Sequence, residues 1–554
     1  MKFRSALLLV ALSSILSACA TGAKMQTPQT FDLLITNGRI IDGTGAPWFR
    51  GDVGITADTI VAVGDLSHAH ARRTIDAHGQ IVAPGFIDLL GQDDHTVLVD
   101  PRLEGKIRQG VTTELTGEGH SPGPVTAAQQ EARAARGGPS WRTLGEYMNV
   151  VEKNRSAINM AFLVGQSSAR EIVMGDVDRD PTPEELRQME AIVDQAMREG
   201  AIGLSSALIY VPAVFSKTDE LIALARVAAK RGGVYFTHIR NEADTIDDAL
   251  DEAFRIGREA RIPLNIWHLK VGGKQNWGRM PEVIAKIEAA RESGLDVSAN
   301  VYPYIASSTG LSALAPNQAL EGGYSKFLER LKDPVTRAKI ADEIRESGFY
   351  HRIDGAVGVL VTRIPNSKFA QYERKRLSEI ATMMGLDPIE ALLRIFEQSP
   401  RSPQAIYFSM NEQDLRYALQ QPFVSVGSDS AAIVGPMINA GAHPRAYGTF
   451  PRVVGHYVRD EHLFTLEEAV RKVTSQAAAR ALLFDRGVLR PGMKGDVVVF
   501  DPEKIRDIST YEDPHHMSEG VIDVVVNGAP VLLDGTMTGE LPGRVLRGPG
   551  YEAR

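Results

Sequence analysis

Between residues 83 and 429 the chain alternates short apolar, β-prone runs with longer amphipathic stretches, and that alternation leaves few folds open. Repeated βα units lay successive strands parallel, because each helix must carry the chain back before the next strand begins. Strand ends fall at Asp88, Thr116, Gly165, Ala207, His238, His268, Tyr302 and Asp429. These eight ends predict an α/β fold, a (β/α)8 TIM barrel, whose active site lies at the carboxyl ends of its strands. The stretches between them, such as 183–198 and 219–231, read as ordinary amphipathic wall helices. From Tyr302 to Asp429 the spacing grows to about 125 residues, far beyond a βα loop, so an inserted helical subdomain is expected over about 315–420, a candidate lid.

The flanks have a different period. Residues 31–44, FDLLITNGRIIDGT, alternate apolar and polar positions around an Asn37-Gly38 turn, and 51–63, 73–82, 495–501 and 521–528 have the same character. One composite β-sandwich built from 31–82 and 487–554 is expected beside a barrel domain spanning 83–486. At the N-terminus, Lys2 and Arg4 precede an apolar run over 6–16 that ends in Leu16-Ser17-Ala18-Cys19. The run is too short for a stable span and resembles a bacterial signal peptide with a lipobox. Cys19 is the only cysteine, so no disulfide forms within one chain, and its position makes it the expected lipidation site. Residues 1–19 then form the signal and 20–30 a tether to the membrane. Ala20, standing where Asp would favour the inner membrane, points to the periplasmic face of the outer membrane. A net charge of -8, from 61 basic and 69 acidic side chains, gives no sign of nucleic-acid binding.

Chemistry gathers at two of the strand ends. YFTHIRNE (235–242) and NIWHLK (265–270) each place one histidine just past an apolar run. A single such histidine is more often a satisfied core residue, but two on successive strand ends converge as metal donors do. Asp429 closes the run FVSVGSD, where a buried carboxylate is costly unless it is paired or coordinates a cation. A helix N-cap at Asp429 or Ser430 is the alternative.

APGFID (83–88), GVTT (110–113), THIRNE, HLK followed by NWGR, YPYIASSTGL (302–311), GSD (427–429) and HPRAYGTFPR (443–452) together resemble the amidohydrolase superfamily, within it the D-aminoacylase (N-acyl-D-amino-acid deacylase) group. The resemblance runs from about residue 31 to 547. It implies a metal at the strand ends and hydrolysis of an amide, with Asp429 taking a proton from metal-activated water and passing it to the leaving amine. It also implies a substrate carboxylate met by Arg445, Lys270, Ser308, Tyr302 and Tyr210. The departures are specific. Leu90 and Gln92 stand where the family carries a first-strand His-x-His pair, and Gln166 replaces a further histidine. The cysteine that ligates metal after the second strand is missing from Gly117-Glu118-Gly119-His120, where Glu118 is the natural substitute and His120 the runner-up. One divalent ion, zinc by preference, is therefore expected on His238, His268 and Glu118. Asp93 and Asp94 receive no chemical role, and His95, His351 and His456 are read as bystanders.

The expected protein is a lipid-anchored, metal-dependent hydrolase of the linear amide in an N-acyl (D-)amino acid or small dipeptide-like substrate. A degenerate barrel that binds a carboxylated ligand without turnover is the alternative from another class, and cyclic-amide hydrolysis is a third reading. The free-carboxylate residues argue against the last.

Overall fold

The computed structural model describes residues 30–433 and 441–553. The lipobox with Cys19 and the tether up to residue 29 lie outside the described residues. Eight parallel strands build a barrel: β1 (Phe86–Gly91), β2 (Val111–Thr116), β3 (Asn159–Phe162, continued by Val164–Gly165), β4 (Gly203–Ala207), β5 (Val234–His238), β6 (Leu264–Ile266), β7 (Val297–Val301) and β8 (Val424–Val426). Each pairs with the next in parallel register, and a bridge from Gly91 to Ser430 brings β8 back to β1. Strands covered on both faces need apolar or small residues throughout, and every residue of β2, β4, β5 and β7 is buried. The helices carry their own punctuation. Helix Pro183–Glu199 starts with a capping box between Thr182 and Glu185, has proline in its first turn, and stops at Gly200 with a left-handed φ of 118°.

The β1–β8 seam is fastened by charge. Lys106, wholly buried, lies 2.7 Å from Asp88, 3.2 Å from Glu114 and 3.6 Å from Asp93, and donates to the Ser428 hydroxyl and the Ser430 carbonyl. Asp93 accepts from the backbone N–H of Ala432 at 2.7 Å. Asp93, given no role from sequence, is thus part of the ionic closure, where its buried charge has a counter-charge.

Both termini contribute to one hydrogen-bonded sheet of nine strands. The sheet curls until Thr59 bridges Lys494, so that Leu33, Ile35, Val53, Ile55 and Ile60 share a core with Val497, Val499 and Val525. One short strand leaves this unit for the barrel. Val545–Leu546 runs parallel to Met160–Ala161 on the edge of β3 opposite β2, and Gly548 donates to Gly200 ahead of β4.

The long β7–β8 connection forms its own hydrophobic cluster around Phe327, Ile344, Leu377, Leu392 and Phe396. Its helices pack on an antiparallel sheet of four strands: Ser307–Gly310, Gln404–Tyr407, Val359–Arg363 and Lys375–Arg376. The unit therefore begins before residue 315. Helix Glu412–Gln420 packs back on the barrel beside β7 and β8.

Candidate metal centre and its cleft

Local backbone chemistry sets the site. Glu118 follows β2 between Gly117 and Gly119, whose φ values of 110° and 64° turn the loop inward. His238 is the last residue of β5. His268 sits two residues beyond β6 and Asp429 three beyond β8, and both hold positive φ, 33° and 49°. Such a conformation costs a non-glycine residue about 1–2 kcal/mol. It is held by hydrogen bonds of 2.7 Å, from the His268 N–H to the Asn300 side chain and from the Asp429 N–H to the Leu90 carbonyl. Strain of this kind clusters where a side chain must be aimed.

Glu118 Oε1 lies 3.0 Å from His238 Nδ1 and 3.1 Å from His268 Nε2, and the two rings stand nearly perpendicular with centroids 4.4 Å apart. One carboxylate and two imidazoles are good zinc donors, and these separations are close to the edge of about 3.3 Å expected between donors around a tetrahedral zinc. The residues fit one ion. Burial would favour a neutral Glu118, but its hydrogen bonds to the two histidines hold the carboxyl well below its ordinary range. His268 is pulled both ways: burial and the Lys270 ammonium press it down, while Glu242 and Glu118 outweigh them and carry it up to about 9. Metal binding there displaces a proton.

His120 is not in the cluster; its half-exposed ring points to Glu171, 3.7 Å away. Gln166 is buried and bonds Ser216 and Glu220. Leu90 is fully buried among Ile87, Leu115, Phe236 and Trp267. Gln92 stays at the centre, its Nε2 donating to Asp429 Oδ1 at 2.8 Å and to Glu118 Oε2 at 3.1 Å.

Of the residues matched to a substrate carboxylate, Lys270 is already engaged. Its ammonium lies 2.6 Å from Glu242 and 2.7 Å from His268 Nδ1. Arg445 is buried with Nη1 2.8 Å from Asp429, a charge contact without hydrogen-bond alignment, and its Nε and Nη1 have no hydrogen-bond partner. Its Nη2 donates to the Ser308 carbonyl, and its guanidinium lies 4.7 Å from the centre of the Tyr302 ring. The Tyr302 hydroxyl is buried and also without a hydrogen-bond partner. Tyr210 donates to Thr309 and packs edge-on against His238. Glu242, missed from sequence, touches both histidines and Lys270. Its position four residues after His238 in THIRNE was the available signal. His456 lies elsewhere, beside Glu461.

Over these residues opens a cleft of about 1300 Å³, walled by the barrel loops and by the inserted unit through Leu314, Pro316, Tyr324 and Phe349. The raised carboxyl of Asp429 lies at its floor: burial pushes it up, Arg445 opposes, and Glu118 adds to the rise. A two-imidazole, one-carboxylate cluster with a buried aspartate beside it at the mouth of a parallel barrel defines a metal-dependent amidohydrolase.

A profile of the amidohydrolase family matches residues 378–532. The chain is 38% identical over 523 residues to D-aminoacylase of Alcaligenes xylosoxydans xylosoxydans, covering 94% of this chain and 98% of that one. A crystallographic study of the binuclear metal centre of D-aminoacylase, described as one-metal activation and second-metal attenuation, shows a chain that superposes with a TM-score of 0.79 at 38% identity, over 93% of this chain and 100% of that one. N-acyl-D-glutamate deacylase from Bordetella bronchiseptica, solved with zinc and a phosphonate mimic of the tetrahedral intermediate, gives a TM-score of 0.80 at 36% identity, over 94% and 100%. The chain belongs to the amidohydrolases, in their D-aminoacylase group.

Proposed function

We propose that the protein hydrolyses the linear amide of N-acyl-D-amino acids with one divalent ion, zinc, held by Glu118, His238 and His268. The observation that carries this is Arg445: a buried guanidinium whose Nε has no hydrogen-bond partner and whose Nη1 has only the ion pair to Asp429, next to the Tyr302 hydroxyl, which has no hydrogen-bond partner either. Buried donors demand an acceptor, and a substrate α-carboxylate supplies two oxygens in the geometry of the guanidinium fork. Lys270, paired with Glu242, lines the cleft beside His268, while Ser308 and Tyr210 shape the cleft wall. When bound, the ion supplies Lewis acidity and brings water toward deprotonation near neutral pH. Asp429 then accepts the proton from the attacking water and delivers it to the departing amine. Arg445 and Tyr302 fix the far end of the substrate, so that the scissile amide is presented to Asp429 rather than tumbling in the cleft.

The test is release of free amino acid from matched N-acetyl-D- and N-acetyl-L-amino acids, their C-terminal amides, and cyclic amides. Turnover of the D free acids well above the others is expected. Equal cleavage of amidated substrates would remove the carboxylate assignment. In Arg445→Ala the loss should be about 2–5 kcal/mol, seen mainly as a raised KM for free acids and not for their amides.

The same proposal places the enzyme in the bacterial envelope, diacylated at Cys19 on the periplasmic side of the outer membrane. The charged and apolar run ending in the lipobox Leu16-Ser17-Ala18-Cys19 supports this. In Cys19→Ser the protein should leave the membrane fraction; retention in membranes after a high-salt and carbonate wash counts against the anchor.

A further inference from the structure

The first-strand position that lost its histidine is not idle. We propose that the Gln92 side-chain amide does the work of a second cation: it bridges Glu118 and Asp429, holds their carboxylates together, and closes the space between them to a second metal ion. The inference rests on the single-ion reading above.

Two carboxylates that share one hydrogen-bond donor, as Glu118 and Asp429 share Gln92 Nε2, lie close enough to repel each other. Left alone, such a pair collects a cation. Here one amide nitrogen carries two hydrogens, and each goes to one carboxylate, at 2.8 Å to Asp429 Oδ1 and 3.1 Å to Glu118 Oε2. Donors and acceptors match, and no lone pair of the amide nitrogen is offered to a metal. The backbone is anchored to suit. The Gln92 N–H donates to the Ser430 carbonyl at 3.3 Å, so the side chain leaves directly from the β1–β8 seam. Gly91 just before it admits no side chain, because a Cβ there would lie 2.1 Å from the Glu114 carboxylate. The neighbouring ligand position is filled by Leu90, whose aliphatic side chain is buried in the barrel core.

Lys106 fixes the same anchor: it donates at 2.8 Å to the Ser430 carbonyl that accepts from Gln92, with its ammonium wholly buried and held by Asp88, Glu114 and Asp93. A second dication entering between Glu118 and Asp429 must break two hydrogen bonds to charged acceptors on a backbone that does not give way. Gln92 acts through Asp429 and Glu118 and not on the substrate itself. It is a positioning residue that keeps Asp429 Oδ1 engaged and Oδ2 turned toward Arg445.

The experiment is a zinc titration of the holoprotein by calorimetry, with elemental analysis of each sample, on wild type, Gln92→Glu and Gln92→Met. The wild type should show no further tight site beyond the ion it carries. Gln92→Glu, which turns the donor into a third carboxylate, should gain one more equivalent of zinc. Gln92→Met, close in size but without donors, leaves the two carboxylates unbridged and should take up a second zinc more weakly than Gln92→Glu, with about a tenfold loss in kcat and KM within about twofold. A second tight equivalent in the wild type, no added equivalent in a folded Gln92→Glu, or an unchanged kcat in Gln92→Met each overturns the proposal. Where Gln92→Glu fails to fold, the wild-type titration and Gln92→Met still decide it. The functional reading fails separately: metal counts as described with no cleavage of N-acyl amino acids leave Gln92's part intact and remove the substrate assignment.

Discussion

Purified without chelators, the wild-type protein should carry about one zinc per chain, and His238→Ala or His268→Ala should carry almost none. Among the described residues each histidine supplies one of the three donors that converge there, while Glu242 beside them is tied to Lys270 and Gln92 offers an engaged amide. Changes one shell farther out already cost metalloproteins about 10–100-fold in metal affinity, so loss of a direct donor should exceed that. Glu118→Gln is expected to weaken binding without abolishing it, since both imidazoles remain while the negative charge between them is gone. Elemental analysis checks all three. Full zinc content in either histidine variant would mean that the ion sits elsewhere, and amidase activity should fall in step with the metal.

The second large effect belongs to Asp429. Asp429→Asn keeps the Gln92 bond within reach but cannot take a proton, so zinc content should stay near one while kcat drops by about 10²–10⁴, or about 3–5 kcal/mol of barrier. The pH profile supplies a second check. Burial raises the Asp429 carboxyl above its ordinary range, Arg445 only partly offsets this, and Glu118 raises it further. The group works as a base only when ionised, so the wild-type rate should fall as pH drops through a midpoint above the ordinary aspartate value. That limb should be missing from whatever activity Asp429→Asn retains. A variant with near-normal kcat and the same acid limb would exclude Asp429 as the proton carrier.

The barrel was legible because parallel strands buried on both faces read as uninterrupted apolar runs between helix caps. All eight strand ends lie within three residues of the positions read from sequence. The histidines followed, since a polar residue straight after such a run must face the barrel mouth. Less was legible where contacts join distant short segments. Ser307–Gly310 pairs with Gln404–Tyr407 across a subdomain, and Lys375–Arg376 is a strand of two residues with no periodicity to detect. Lys106 gave no signal because its partners Asp88 and Asp93, Glu114 and Ser428 come from three separate stretches. Gln92 offers no signal in sequence, since its two acceptors, Glu118 and Asp429, come from other strand ends. The ion pair from Lys270, matched to a substrate carboxylate, to Glu242 joins two strand ends and is equally silent in the sequence.

The short strand Val545–Leu546 has a consequence for how the molecule is made. Its partner segment in β3 is separated from it by about 385 residues, so that edge of the barrel stays bare while the whole intervening sequence is synthesised. A contact so far apart along the chain carries a heavy loop-closure penalty and forms late. The eight barrel strands pair round without it, so what waits for residue 546 is the cover on that edge of β3: the last stretch of the chain to be made seals a strand laid down near its beginning.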